Sequence, residues 1–338
     1  MTNFFKVRQS MPAIKITGTG NYLPLKTVLS TELDERLGLS PGSVEKKSGL
    51  ISRHFASPEE TTSYMGAKAA LEAIKQAGIN LSDIDAIISA SGVGEQPIPC
   101  TAALIQKQLG LEDSGISCFD INSTCLSFIT ALDIASYLIE GGRYNRILIV
   151  SSDIASSGIN WEDMETCTIF GDGAAACLVE QSDGSHRILS SHFITNSSGS
   201  TYCQIKAGGT RIPPLQSCHV PLSGLFYMDG KKVFKLASKL VGQMTDELMA
   251  KARVTMADIH WVVPHQASLL AMHHIRKRLN IPEHKFVDIY SRHGNQIAAS
   301  IPTVLNHLVR SKKIQRGELV FLLGTGAGLS AGGIILEF

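Results

Sequence analysis

The sequence predicts an α/β protein made of two duplicated halves, and three observations carry that reading. Short apolar strands alternate with amphipathic helices along the chain, one run of elements occurs twice in the same order, and the composition can fill a large core. A first strand is read over 13–20, a helix over 64–77 ending at Gly78, and a strand over 86–90. The run Leu81-Ser-Asp-Ile-Asp-Ala-Ile-Ile has a counterpart in Thr255-Met-Ala-Asp-Ile-His-Trp-Val-Val, which follows a long helix over 233–252. After each strand comes a helix ending in a similar turn, Gln106-Lys-Gln-Leu-Gly-Leu and Arg276-Lys-Arg-Leu-Asn-Ile. A strand, turn and helix follow at 119–138 and 286–308, and an apolar strand closes each run at 146–151 and 318–323. The offset of about 170 residues sets Cys125 opposite Asn295, each at the head of a matching helix. The expected division is an N-terminal extension over 1–12, a first half over 13–183 and a second half over 225–338. Between the halves, a Ser-, Gly-, Pro- and Thr-rich excursion over 184–224 is expected to shape a pocket mouth.

With 44% hydrophobic and 18% charged residues in 338, the chain reads as an ordinary globular protein. A net charge of +1 gives no reason to expect a nucleic-acid or membrane surface. Seven cysteines without CxxC or metal-ligand spacing fit a reducing compartment rather than a disulfide framework. The start, MTNFFKVRQSM, has no apolar core or cleavage site of a secretion signal, and no stretch approaches a membrane span. A cytoplasmic protein is expected.

One stretch organises the rest. In Asp120-Ile-Asn-Ser-Thr-Cys125-Leu-Ser-Phe, small polar residues lead from a buried strand over 115–121 to a cysteine, and Leu126, Ile129, Leu132, Ile134 and Leu138 then repeat at helical spacing. Cys125 is therefore expected near the first turn of a helix, where free N–H groups and the helix dipole favour a thiolate. The alternative is a small buried hydrophobe. His265 in Pro264-His-Gln-Ala and Asn295 in Gly294-Asn-Gln also lie just past buried strands, and the repeat sends all three loops to one end of the sheets. A lone histidine at a strand end is more often structural, but the combination suits acyl-group chemistry. A thiolate can take an acyl group from a thioester. Imidazole and carboxamide N–H groups can then hold an oxygen that takes on enolate charge. The runs Gly171-Asp-Gly-Ala-Ala-Ala and Gly324-Thr-Gly-Ala-Gly fit neither a dinucleotide nor a phosphate loop. They are read as close backbone packing or as an amide brought near a reacting oxygen.

The Cys125 strand-turn-helix, the PHQA run with His265, and the run of Gly294, Asn295, Ala298, Ala299, Ser300 and Pro302 carry a family resemblance. So do Phe170-Gly-Asp-Gly-Ala and the Met228, Gly230, Val233, Phe234, Lys235 pattern. Together, from residue 13 to the end, they resemble the β-ketoacyl-acyl-carrier-protein synthase III family of thiolase-fold condensing enzymes. The resemblance implies a thiolase-like α/β fold with two duplicated halves layered α-β-α-β-α, and a homodimer. It also implies Cys125 as acylated nucleophile, with His265 and Asn295 promoting malonyl decarboxylation. The backbone N–H groups of Cys125 and Ala327 match the oxyanion hole. Implied substrates are coenzyme A or acyl-carrier-protein thioesters and a malonyl thioester, with no metal or redox cofactor.

Departures from the family fall around the substrate. Ser43 stands where members stack a tryptophan on adenine, Lys47 where they carry an arginine, and Ser268 and Leu270 where they carry asparagine and a docking arginine. Ile98 replaces a phenylalanine that limits the acyl pocket and sits near the place where non-decarboxylating relatives carry a glutamate base. Lys47, Ile98, Met228, Phe234 and Ser268 are the expected substrate or pantetheine contacts. Lys235 and Lys277 are expected to face an acidic carrier protein, although a solvated surface explains exposed lysines equally. The expected reaction is condensation with an altered acyl group, as in specialised fatty-acid or polyketide metabolism. The alternatives are acyl transfer to an alcohol or amine with His265 as base, and a silent ketosynthase-like partner, against which the cysteine counts. A papain-like protease lacks its signature around Thr124-Cys125-Leu126.

Overall fold

The computed structural model describes residues 12–217 and 219–338, so nearly all of the expected extension over 1–12 lies outside the described residues. The first sheet runs in the order Ile14–Tyr22, Gly173–Gln181, Arg146–Asp153, Ala86–Ser89, Ser117–Asp120. Along that order the first two pairings are antiparallel and the last two parallel. The second sheet runs Arg187–Thr195, Ser330–Glu337, Leu319–Gly326, Trp261–Pro264. Its pairings are antiparallel, antiparallel and parallel, and a lone parallel bridge from Val262 to Phe286 stands where the first sheet has its last strand. The duplication read from the sequence is therefore a shared topology.

Strand alternation builds the layers. Ile88, Ile147 and Ile149 of the first sheet and Val263, Leu322 and Ile334 of the second point into one central core. The helices Ser127–Glu140 and Ser300–Arg310 fill that space, contributing Phe128 and Leu132, and Val304 and Leu308. The alternate residues Ile87, Leu148 and Val150 face outward onto the helices Thr62–Ala77 and Thr101–Gln108. On the far side, Val262, Phe321 and Ile335 pack under Leu240, Val241 and Met244 of the helix Gly230–Ala252. The result is α-β-α-β-α, with the thiolase-type arrangement expected. In Ser300–Arg310, Ile301, Val304, Leu305 and Leu308 form the buried stripe, and burying each such side chain contributes about 1.5–3 kcal/mol. Leu305→Ala should accordingly lower stability by about 2–5 kcal/mol in a urea titration.

Two readings change. Arg187–Thr195 falls inside the stretch read as an excursion, yet it is a full strand of the second sheet, paired with Ser330–Glu337. As the last strand in that sheet's order it buries only Ile188 and Ser190, which is why it lacks a strong apolar signal. The helix after Cys125 starts at Ser127 with Leu126 as its N-cap, so the cysteine lies just before the first turn. Among the described residues no helix is long and apolar enough to cross a membrane.

Candidate active site

The polar residues before Cys125 build a tight elbow. Asn122 Oδ1 accepts the Thr124 N–H at 2.9 Å, and Asn122 Nδ2 donates to the Gly92 carbonyl at 3.1 Å. Ser127 Oγ accepts the Ser123 N–H at 2.9 Å and donates at 3.1 Å to the Ser91 carbonyl or at 2.6 Å to that of Thr124. These bonds hold Thr124 at φ 52°, a strained conformation for a β-branched residue, directly before the nucleophile.

The end of the Leu319–Gly326 strand brings this elbow against the second half. A Cβ on Gly324 would lie 2.9 Å from His265 Cβ and 3.1 Å from Leu126 Cδ2, so the histidine and the residue after Cys125 flank one point of backbone. A Cβ on Gly326 would lie 2.6 Å from Thr124 Oγ1. Thr124 Oγ1 reaches the Ala327 carbonyl at 3.5 Å, which puts the Ala327 turn beside the elbow. The close packing read for this glycine run is present at Gly324 and Gly326.

His265 follows the Trp261–Pro264 strand, is 4% exposed, and has Nδ1 2.6 Å from Ser300 Oγ. Ser300 Oγ also accepts the Gln266 N–H at 3.3 Å and lies 3.1 Å from the Ile297 carbonyl. Asn295 belongs to the same network: its Nδ2 donates to the Ala267 carbonyl at 3.2 Å, and its Oδ1 accepts the Ile297 N–H at 2.9 Å. The second bond fixes the amide so that its N–H₂ points away from the turn.

The FGDGA run clamps Asn295 from the first half. Asn295 N–H donates to the Ile169 carbonyl at 2.8 Å, Gly171 N–H donates to the Asn295 carbonyl at 3.2 Å, and Gln296 Nε2 donates to the Asp172 carbonyl at 3.1 Å. Gly171 is required by this approach, since a Cβ there would lie 2.1 Å from the His293 carbonyl. Gly171→Ala must displace backbone, and it should cost about 1–3 kcal/mol of stability in a urea titration and lower condensation more than acylation.

Burial dominates the electrostatics. It pushes the Cys125 thiol up, and the neighbouring Cys203 and Asp153 push the same way. The direction is opposite to the thiolate expected at a helix start, and the sulfur sits before the first turn, not within it. Burial lowers His265 to about 4, so its imidazole is neutral at pH 7.

The expected substrate contacts scatter. Met228 is half-buried and pairs with Cys203, whose thiol acts on Cys125, so it belongs near the sulfur. Ile98 is 83% exposed in a surface loop and does not line this chain's own site. Ser268 caps the helix Leu269–Arg278, accepting the Ala271 N–H at 3.2 Å. Phe234, on the helix Gly230–Ala252, is 45% exposed, its ring 4.3 Å from that of His274 on the helix Leu269–Arg278. Lys47, Lys235 and Lys277 are exposed. A cavity of about 160 Å³ bordered by Gln76, Arg316 and Phe338 shares no lining residue with the site. Sequence reasoning missed Ser300 as the partner of His265, and it missed Asp153. A serine five residues past Asn295, and a carboxylate three residues past the apolar 147–150 run, were the available signals.

Residues 119–197 match the family model of 3-oxoacyl-[acyl-carrier-protein] synthase III, and residues 249–338 match that of its C-terminal part. A β-ketoacyl-[acyl-carrier-protein] synthase III of Chlamydia caviae is 34% identical over 95% of this chain and 96% of its own. One of Laribacter hongkongensis is 35% identical over 97% and 100%. The chain belongs to the β-ketoacyl-acyl-carrier-protein synthase III family. A crystal structure of 3-oxoacyl-[acyl-carrier-protein] synthase III from Aquifex aeolicus superimposes with a TM-score of 0.87 at 32% identity, covering 96% of this chain and 100% of that one. Like other synthase III family members, the protein is a thiolase-fold condensing enzyme, a transferase that joins acyl units.

Proposed function

We propose that the enzyme moves an acyl group from a thioester donor to Cys125 and condenses it with a malonyl thioester. The observation that carries the reading is the meeting at Gly324 of the Cys125 elbow and His265, with Asn295 in the imidazole's own network. Cys125 sulfur attacks the donor carbonyl, and the donor thiol leaves with the proton. The oxyanion sits against the N–H groups of Cys125 and Ala327. The malonyl thioester then loses carbon dioxide, and the electron pair of the broken bond moves onto the thioester oxygen. The reaction uses the tautomer in which Ser300 donates to His265 Nδ1 rather than to the Ile297 carbonyl, so that Nε2 carries the ring proton and hydrogen-bonds that oxygen beside Asn295 Nδ2. The enolate carbon attacks acyl-Cys125, the sulfur leaves, and a β-ketoacyl thioester is released.

This chemistry calls for no metal or redox group, and coenzyme A or a carrier protein enters as the handle of the substrate. Lys235 and Lys277 suit an acidic carrier protein, and Lys47 and Met228 a pantetheine arm. A homodimer in a reducing cytoplasm fits the family and the thiols. Loss of the adenine-stacking tryptophan at Ser43 favours donors held by something other than adenine. The test uses intact mass: acyl thioesters of increasing length are offered, then malonyl thioester with or without an amine or alcohol. A mass gain on Cys125 followed by carbon dioxide release is expected. Transfer to the acceptor without carbon dioxide, or no adduct with any donor, would sink the reading.

A further inference from the structure

Asp153 ends the Arg146–Asp153 strand, is fully buried, and touches both halves of the site. Its Oδ1 accepts the N–H groups of Gly92 at 2.8 Å and Val93 at 3.2 Å, and its Oδ2 accepts that of Ala298 at 3.1 Å. Gly92 in turn receives Asn122 of the elbow on its carbonyl. Ala298 follows Ile297, which is held at φ 52° and gives its N–H to Asn295 Oδ1. The packing between them is tight: a Cβ on Gly92 would lie 2.4 Å from Ile297 Cγ2 and 3.3 Å from Asp153 Oδ1. A buried carboxylate with no cation is costly, and three amides from two separate loops are what it holds.

We propose that Asp153 is a positioning residue that locks the cysteine elbow and the asparagine turn into one register. The inference rests on the function assigned above. The carboxylate ties Gly92, and through it the loop that carries Cys125, to Ala298, and through it the strained turn that orients the Asn295 amide. Burial raises Asp153 to about 7, and of the ionisable groups acting on Cys125 it and Cys203 both disfavour the thiolate. Loosening such a lock misplaces reacting groups, and a displacement near 1 Å costs about 100-fold in rate.

The test is Asp153→Asn, which keeps the shape and removes the charge. Carbon dioxide release from malonyl thioester should fall about 100-fold, while acyl transfer to Cys125 persists. Loss of decarboxylation with acylation kept is a split that a merely structural role would not produce. Unchanged decarboxylation, or an equal loss of both half-reactions, overturns the proposal. If the variant does not fold, hydrogen exchange in the wild-type protein decides. The Gly92 and Ala298 amides should be protected together, and rapid exchange at either one overturns it. Exchange needs no substrate, so it tests Asp153 even where wild-type enzyme condenses nothing.

Discussion

Cys125→Ser should carry no acyl group when mixed with any thioester that acylates the wild-type enzyme. The substitution keeps the elbow, because the bonds that shape it come from Asn122, Ser123, Thr124 and Ser127 rather than from the sulfur. It removes the polarizable atom that makes attack feasible without a strong base. Burial already pushes the thiol up, and His265, whose conjugate acid is held at about 4, is too weak a base to activate an alcohol that is far less acidic still. Removing a nucleophile costs on the order of 10⁶ in kcat where that has been measured in a serine protease, and an effect of that order is expected here. Intact mass over time checks it; a serine ester formed at a comparable rate would show that the acyl group is taken up elsewhere.

The layers and the main elements were legible because their patterns are periodic. The Ile301, Val304, Leu305, Leu308 stripe and the short apolar runs at 86–90 and 146–151, which are buried on both faces, leave little choice of structure. The three reacting groups were legible because Cys125 and Asn295 head matching helices of a repeat and His265 ends an apolar strand, although Asn295 follows the short helix Tyr290–His293 and not the strand expected before it. What the sequence did not disclose depends on contacts between distant segments. Arg187–Thr195 was hidden because the end strand of a sheet can be largely polar. The state of Cys125 was misread because a helix dipole is visible in a local pattern, whereas desolvation by surrounding layers is not. Ile98 matched a pocket position by alignment, yet its own chain leaves it on the surface. Asp153 resembles any acid that ends a strand until the amides of Gly92 and Ala298, one from each half, are found on its two oxygens.

His265→Ala should separate the two half-reactions. Acylation of Cys125 needs the oxyanion hole and should continue, whereas malonyl decarboxylation loses a preorganised donor and should fall about 10²–10³-fold. The same substitution tests the protonation state on which that donor depends. Burial holds His265 at about 4, below its ordinary 6.5. Between those values the unfolded chain binds the proton that the folded one refuses, so this histidine leaves stability intact above pH 6.5 and erodes it as pH falls toward 4. Over that span the loss amounts to about 3 kcal/mol. Asp153 works the other way: raised from 3.8 to about 7, it favours the folded state at acid pH and loses that contribution as pH rises through 7. In wild-type protein the two slopes largely cancel between pH 4 and 6.5. His265→Ala leaves the slope of Asp153 unopposed, so denaturation curves should show the variant gaining on wild type steadily as pH drops from 6.5 to 4, after an offset for the lost side chain. A difference that stays constant with pH would mean that His265 keeps its ordinary 6.5 in the folded protein and gains charge below it, and a charged imidazole would bind malonate's carboxylate rather than help to expel it.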